Sequence, residues 1–159
     1  MNPKILNLKE LKNKLVYLRK KKKKIAFTNG CFDLLHLGHI KYLAQAKNLA
    51  DILIVGINSD ASVQKIKGKK RPIIPLKQRM NVLAALEAVD FVISFNQATP
   101  YRLIKIVKPD FLVKGGDWQT KDIVGRDIVE SYKGKVVRIP FLKGLSTTQI
   151  IKRIVERFG

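Results

Sequence analysis

Two periods of apolar spacing alternate along the chain. Leu8, Leu11, Leu15 and Leu18 recur at helical spacing and run into Arg19-Lys20-Lys21-Lys22-Lys23-Lys24, which predicts an amphipathic helix and a cationic link over residues 1–24. Ile25-Ala26-Phe27 predicts a short buried strand that Thr28-Asn29-Gly30 breaks. Leu37, Ile40, Leu43 and Ala44 then predict a helix. The β-branched run Asp51–Asn58 (DILIVGIN) predicts a strand buried on both faces, as in a parallel sheet. Gly68 and Pro72 mark a basic loop over 65–72, and Pro75 opens a helix over Leu76–Ala88. Asp90–Phe95 and Asp110–Lys114 predict two more strands, with a helix from Ala98 to Val107 between them, capped by Thr99 with Pro100 at its first position. Lys121–Tyr132 is a variable helix or loop, and Lys135–Ile139 a fifth strand. Ser146 and Gln149 fit a capping box ahead of Ile150, Ile151, Ile154, Val155 and Phe158 at helical spacing. This order predicts a single doubly wound, Rossmann-like α/β domain with a five-stranded parallel sheet.

Composition narrows the class. An apolar fraction of 46% over 159 residues supports one real core, with residues 25–159 as the body of the domain and 1–24 as a leading helix and link that packs outside the sheet or helps form a dimer. A single cysteine excludes a disulfide framework and fits a reducing compartment. No run of about 18 apolar residues occurs and the N-terminus lacks the sustained apolar region of a secretory signal, so a cytoplasmic protein with no membrane partner is expected. Lys plus Arg is 32 against 12 Asp plus Glu, a net charge of +20. That excess attracts polyanions of several kinds and does not choose among them. No aromatic residue interleaves the lysines of 19–24, so a solvated link is favoured there over a nucleic-acid platform.

The candidate chemistry gathers at helix starts. The first N–H groups of a helix lack internal partners and carry the positive end of its dipole, so a helix that follows a strand and a glycine turn suits a phosphate. Here that start carries His36 and His39, the chain's two histidines, on one helical face with Gly38 between them. Gly30 lets the backbone bend and a ligand approach, and Gly38 leaves the space between the imidazoles clear. Two imidazoles there can donate to phosphate oxygens whose charge grows as phosphorus is attacked. A zinc site is disfavoured: the pair lacks a Glu-x-x-His extension, and Cys31 alone does not complete a tetrahedral set. Cys31 has no base partner in the local sequence and reads as a small filler. Lys67 and Arg71 sit on a basic loop that either closes over phosphates or is a solvated charge run. In Lys114-Gly115-Gly116-Asp117-Trp118, the glycines permit close backbone approach, Lys114 offers a phosphate partner, Asp117 can accept from sugar hydroxyls, and Trp118 stacks on a ligand or caps the core. Ser146-Thr147-Thr148 is a second helix start rich in hydroxyls; capping explains Ser146 but not the threonines.

Residues 28–39, TNGCFDLLHLGH, resemble the H-x-G-H signature of the cytidylyltransferase-like nucleotidyltransferases. These enzymes join a nucleoside triphosphate to a phosphorylated alcohol or sugar and release pyrophosphate. The Ser-Thr-Thr triplet resembles the family's second signature, which grips the β- and γ-phosphates, and KGGDW resembles the heptose 1-phosphate adenylyltransferases, often fused to a sugar kinase but here expected to stand alone. In related cytidylyltransferases an arginine commonly precedes the triplet by five residues; this chain has Phe141 there, with Lys143 nearby as a replacement charge, which weakens a cytidylyltransferase reading. The resemblance implies transfer of AMP from ATP to D-glycero-β-D-manno-heptose 1-phosphate, giving ADP-heptose for lipopolysaccharide core precursor synthesis. By motif position it implies His36, His39 and Lys67 as catalytic residues. It implies Thr28, Asn29, Gly30, Phe32, Asp33, Gly38, Arg71, Arg79, Ser146, Thr147 and Thr148 as the nucleotide site, and Lys114, Gly115, Gly116, Asp117 and Trp118 as the sugar-phosphate site. Mg2+ is expected to arrive with ATP, without dedicated protein ligands, and a homodimer is expected. The alternatives are a cytidylyltransferase acting on glycerol 3-phosphate or a similar phosphorylated alcohol, and a basic nucleic-acid-binding module; nucleic acid is not the expected partner.

Overall fold

The computed structural model describes residues 2–116, 122–140, 142 and 144–159. Asp117, Trp118, Phe141 and Lys143 therefore lie outside the described residues. Five parallel strands, β1 (Ile25–Gly30), β2 (Ile52–Asn58), β3 (Phe91–Phe95), β4 (Phe111–Gly115) and β5 (Lys135–Ile139), form one sheet in the order β3-β2-β1-β4-β5. The continuous apolar runs follow from burial on both faces. Phe27, Ile54 and Leu112 point into one core, with α1 (Leu8–Lys20), α5 (Tyr101–Val107) and α6 (Arg126–Ser131). Their neighbours Ala26, Leu53, Val55 and Val113 point into the other, with α2 (Leu37–Lys47) and α4 (Leu76–Ala85).

Within residues 2–24, the leading helix packs against the sheet. Leu6, Leu11, Leu15 and Leu18 belong to the same core as Phe27 and Leu112. The helix starts at Leu8, the first of its spaced leucines, because Asn7 and Glu10 form a reciprocal capping box: the Asn7 side chain accepts from Glu10 N at 3.0 Å and Glu10 accepts from Asn7 N at 2.7 Å. The residues before it lie along the edge of β3, where Leu6 N donates to the Val92 carbonyl and Val92 N to the Lys4 carbonyl. The end of the lysine block is tied to the sheet: Lys24 pairs with Asp110 at 2.8 Å, and the same carboxylate accepts from Ile25 N.

Two local expectations change. Thr28-Asn29-Gly30 does not break the first strand, because β2 holds it in parallel register as far as Gly30 opposite Ile57. The basic segment from Lys65 begins inside a helix, α3 (Asp60–Lys67), which Ser59 caps through Ser62 N and which Gly68 ends with φ +94°, a left-handed conformation open to glycine. The last helix, α7 (Thr147–Phe158), is capped by Ser146 and has no buried residue.

Candidate active site

In a doubly wound sheet, ligands bind beyond the carboxyl ends of the strands where the winding reverses. Here that point lies between β1 and β4. Their ladder covers only Ala26 opposite Phe111 and Phe27 opposite Leu112, whereas β1–β2 and β4–β5 run on to Gly30 and Gly115. The two strands part beyond Phe27 and Leu112, and a cavity of about 550 Å³ opens over the split. Its wall brings together Asn29, Gly30, Phe32, Asp33, His36, Gly38, His39, Lys67, Arg71, Lys114, Gly115 and Ser146-Thr147-Thr148, residues dispersed over 120 positions of the chain.

The histidines sit at the start of α2. His36 is the N-cap residue rather than part of the first turn, with extended backbone (φ −143°, ψ 170°) and no side-chain capping bond, and His39 lies three positions on. Their rings stack with centroids 3.9 Å apart and planes 29° from parallel, and Phe32 lies 5.4 Å from the His39 ring. Phe32 takes a left-handed backbone conformation (φ +46°), and its ring lies tilted beside that of His39. Gly38 permits the stack: a Cβ there would lie 2.9 Å from both Cε1 and Nδ1 of His36. The Nδ1 atoms of both rings are buried without a hydrogen-bond partner in the protein. Burial pushes the His36 pKa down, and burial together with the neighbouring imidazole pushes that of His39 down to about 4. At neutral pH the pair is uncharged, each ring keeping one N–H donor and one lone pair.

Cations surround this pair. The Lys114 ammonium reaches across the split to the Asn29 side-chain carbonyl and makes no ion pair among the described residues; burial pushes its pKa down to about 8. A half-buried ammonium without a carboxylate partner on a cavity wall calls for an anionic ligand. Lys67, the last residue of α3, also lines the cavity. Arg71, also on the cavity wall, donates from Nε to Asp33 at 2.5 Å. At the start of α7, Ser146 accepts from Gln149 N at 3.2 Å, and Thr147 donates to the Leu34 carbonyl at 3.4 Å, tying this helix start to the loop before α2.

Several expected ligand residues have other duties. Asp33 accepts from Ile73 N and Ile74 N as well as Arg71. Burial alone would raise its pKa, but these donors together hold it below the usual carboxylate range. It organises the loop carrying Arg71 instead of presenting a free carboxylate. Arg79 is 1% exposed and lies under the cavity, with Nε on the Ile74 carbonyl, Nη1 on that of Cys31 and Nη2 on the Asp60 carboxylate at 2.5–2.8 Å. Thr28 is fully buried, its hydroxyl 2.6 Å from that of Tyr42. Gly116 (φ +94°) donates its N–H to the Ile139 carbonyl and turns the chain beyond β4. Cys31 lines the cavity, but burial raises its pKa and keeps it a thiol. Tyr42, Ile66 and Ala98 line the cavity without having been singled out. Only Tyr42 carried a local signal, its position three residues after His39 on the same face of α2.

A five-stranded parallel sheet that opens at its switch point onto paired imidazoles and a second capped helix start defines a nucleotidyltransferase-type domain. The chain belongs to the cytidylyltransferase-like family, whose sequence profile matches residues 27–153. It is 51% identical to the bifunctional protein HldE of Geobacter metallireducens over 156 residues, 98% of this chain and 32% of that protein. To the bifunctional protein HldE of Nitratiruptor sp. it is 58% identical over 137 residues, 86% of this chain and 29% of the relative. The chain thus spans about a third of the length of these curated relatives. Among solved structures, the lipopolysaccharide core biosynthesis protein of Thermoplasma volcanium superposes with a TM-score of 0.61 at 28% identity, covering 76% of this chain and 98% of that one. A pantoate-beta-alanine ligase of Francisella tularensis, solved with beta-gamma ATP and beta-alanine, shares the fold with a TM-score of 0.65 at 22% identity, covering 96% of this chain and 77% of that one. No helix among the described residues is long and apolar enough to cross a membrane.

Proposed function

We propose that this domain transfers AMP from ATP to a sugar 1-phosphate, D-glycero-β-D-manno-heptose 1-phosphate, giving ADP-heptose and pyrophosphate for lipopolysaccharide core synthesis. The observation that carries the reading is the stacked, uncharged histidine pair at one helix start, its Nδ1 atoms without protein partners, lining one cavity with the Ser-Thr-Thr start of another. A phosphate oxygen of the sugar attacks the α-phosphorus of ATP, the bond from that phosphorus to the bridging oxygen breaks, and pyrophosphate leaves. The nucleophile is already an anion, so no general base and no covalent enzyme intermediate are needed. Catalysis is positioning plus stabilisation of charge on the phosphoryl oxygens. In this scheme His36 and His39 donate to the α-phosphate and its leaving oxygen. Ser146, Thr147, Thr148, Lys67 and Arg71 hold the departing pyrophosphate, and Lys114 with Gly115 receives the sugar phosphate. Mg2+ belongs to the substrate as MgATP: the Asp33 carboxylate beside the histidines is committed to three protein donors, and the described residues hold no cluster of three or more acidic, histidine or cysteine side chains that suits a metal. The HldE relatives and the lipopolysaccharide core biosynthesis protein support heptose phosphate as the acceptor. The single free cysteine suits a cytoplasmic setting.

The same reading takes the working form as a homodimer. On α7, Ile154, Val155 and Phe158 are 49%, 61% and 85% exposed, an apolar stripe that a second copy would cover. The deciding assay for activity is pyrophosphate release with ATP and CTP, each offered heptose 1-phosphate, other sugar 1-phosphates and glycerol 3-phosphate. ATP with heptose 1-phosphate is expected to react fastest, and His39→Ala to lose about 10² or more in turnover. Preference for CTP with glycerol 3-phosphate, or no release from any pair, would refute the assignment.

A further inference from the structure

We infer that Tyr42, acting with Thr28, is a positioning residue that sets the width of the split between β1 and β4 and so the separation of the two substrates' phosphates. The inference rests on the transfer reaction proposed above for what that separation does.

The β1–β4 ladder ends at Phe27 opposite Leu112, so the next pair, Thr28 and Val113, lies at the root of the split without the backbone bonds that would join it. Both residues are fully buried. The Tyr42 hydroxyl donates to the Val113 carbonyl at 3.2 Å. The same hydroxyl lies 2.6 Å from Thr28 Oγ1. A carbonyl only accepts, so the tyrosine proton goes to Val113 and the threonine hydroxyl donates to the tyrosine oxygen. One phenol thus bridges β1 and β4 just past the end of their ladder and defines how far apart the strands stand. Burial pushes its pKa up to about 12, so it keeps its proton throughout the working range.

Tyr42 also belongs to α2, one turn beyond His39, and its ring lines the cavity at 7% exposure. The spacer therefore links three parts at once: β1, which leads to Asn29 and Gly30; β4, which leads to Lys114 and Gly115; and the helix that carries the histidines. One residue further toward the mouth, the Lys114 ammonium meets the Asn29 side chain and spans the split again. The tyrosine hydroxyl gives its one proton to Val113 and so has none to donate to phosphate. It acts through the distance between the imidazoles, which hold the reacting phosphorus, and Lys114, which holds the attacking phosphate. An error of about 1 Å in such a distance costs up to about 10² in rate.

The test uses Tyr42→Phe, Thr28→Val, the double variant and Thr28→Ser in the full chain. Tyr42→Phe is expected to lower kcat about tenfold with KM for ATP changed less than about threefold, the scale of one lost hydrogen bond felt in the transition state. Thr28→Val is expected to match it, the double variant to be no worse than either, and Thr28→Ser to restore turnover by restoring the hydroxyl. Amide exchange, which needs no turnover, is expected to rise at residues 28–30 and 113–115 in Tyr42→Phe and to stay unchanged in β2 and β3. An active wild type with Tyr42→Phe turnover within twofold of it, single losses that multiply in the double variant, or unchanged exchange at the split would overturn the inference. Should the wild type transfer no nucleotide at all, the functional reading fails, and the exchange experiment alone then decides the spacer.

Discussion

Gly38→Ala isolates the histidine geometry from the stability of the fold. The added Cβ would stand 2.9 Å from Cε1 and Nδ1 of His36. Ordinary carbon contacts begin at about 3.5 Å, so about 0.6 Å of room must be found. The backbone has no reason to move, since Gly38 lies inside α2 and alanine favours that helix by a few tenths to about 1 kcal/mol. The imidazole is the free end and must give way. It cannot close on His39, whose ring is already stacked at 3.9 Å, so it swings outward and the stack opens. Displacement of one charge-stabilising donor by this amount is expected to lower kcat by about 10², equivalent to about 2.7 kcal/mol of transition-state stabilisation. The melting temperature is expected to hold or rise slightly. Pyrophosphate release measured beside a thermal melt reads both quantities, and the same substitution in a His36→Ala background is expected to cost little, because the ring it displaces is gone. Wild-type turnover in Gly38→Ala, or an equal loss in both backgrounds, would refute the argument.

Three further outcomes follow from the site and its surroundings. Asp33→Asn keeps the shape but removes a buried charge that Arg71 and two backbone N–H groups share; it is expected to destabilise by about 3 kcal/mol in urea titrations and to raise KM for ATP as the Arg71 loop loosens. His39 should make the protein acid-sensitive: the unfolded chain takes its proton near pH 6.5 and the folded ring only near about 4, so the unfolded state binds more protons between these values and stability falls as pH falls through that window. By pH 5 the ceiling is about 2 kcal/mol, about half that once screening of the partly exposed ring is allowed for, and His39→Gln should flatten this part of the profile. Phe158→Asp is expected to convert a dimer to monomer in sedimentation equilibrium without changing the melt of the monomer; a wild type that sediments as a monomer at all concentrations would rule the α7 interface out.

The chemistry at each helix start was legible because it is local. An apolar run, a glycine and a capping residue announce where phosphate-binding N–H groups emerge, and His36, Gly38 and His39 fall within one turn of each other in any helix. The strand runs were equally plain, since burial on both faces leaves no polar position to disguise them. The role of a charged or hydroxyl side chain was not legible, because it depends on which partner the fold brings near. Asp33, Arg79 and Thr28 look like ligand residues by motif position, yet each meets protein partners at least 14 residues away, except for the short reach of Arg79 to Ile74.

Taken alone, then, the sequence determined the α/β class, the two helix starts and the pairing of imidazoles, all consequences of spacing along one chain. Tertiary structure decided the rest. It put β4 beside β1 so that Lys114 meets Asn29 across 85 residues, stopped their ladder at Phe27 to open the cavity, and placed Tyr42 at the root of that opening. Burial, a property of the assembled fold, also set the histidines uncharged at neutral pH. These outcomes depend on contacts between distant segments, which no local spacing encodes.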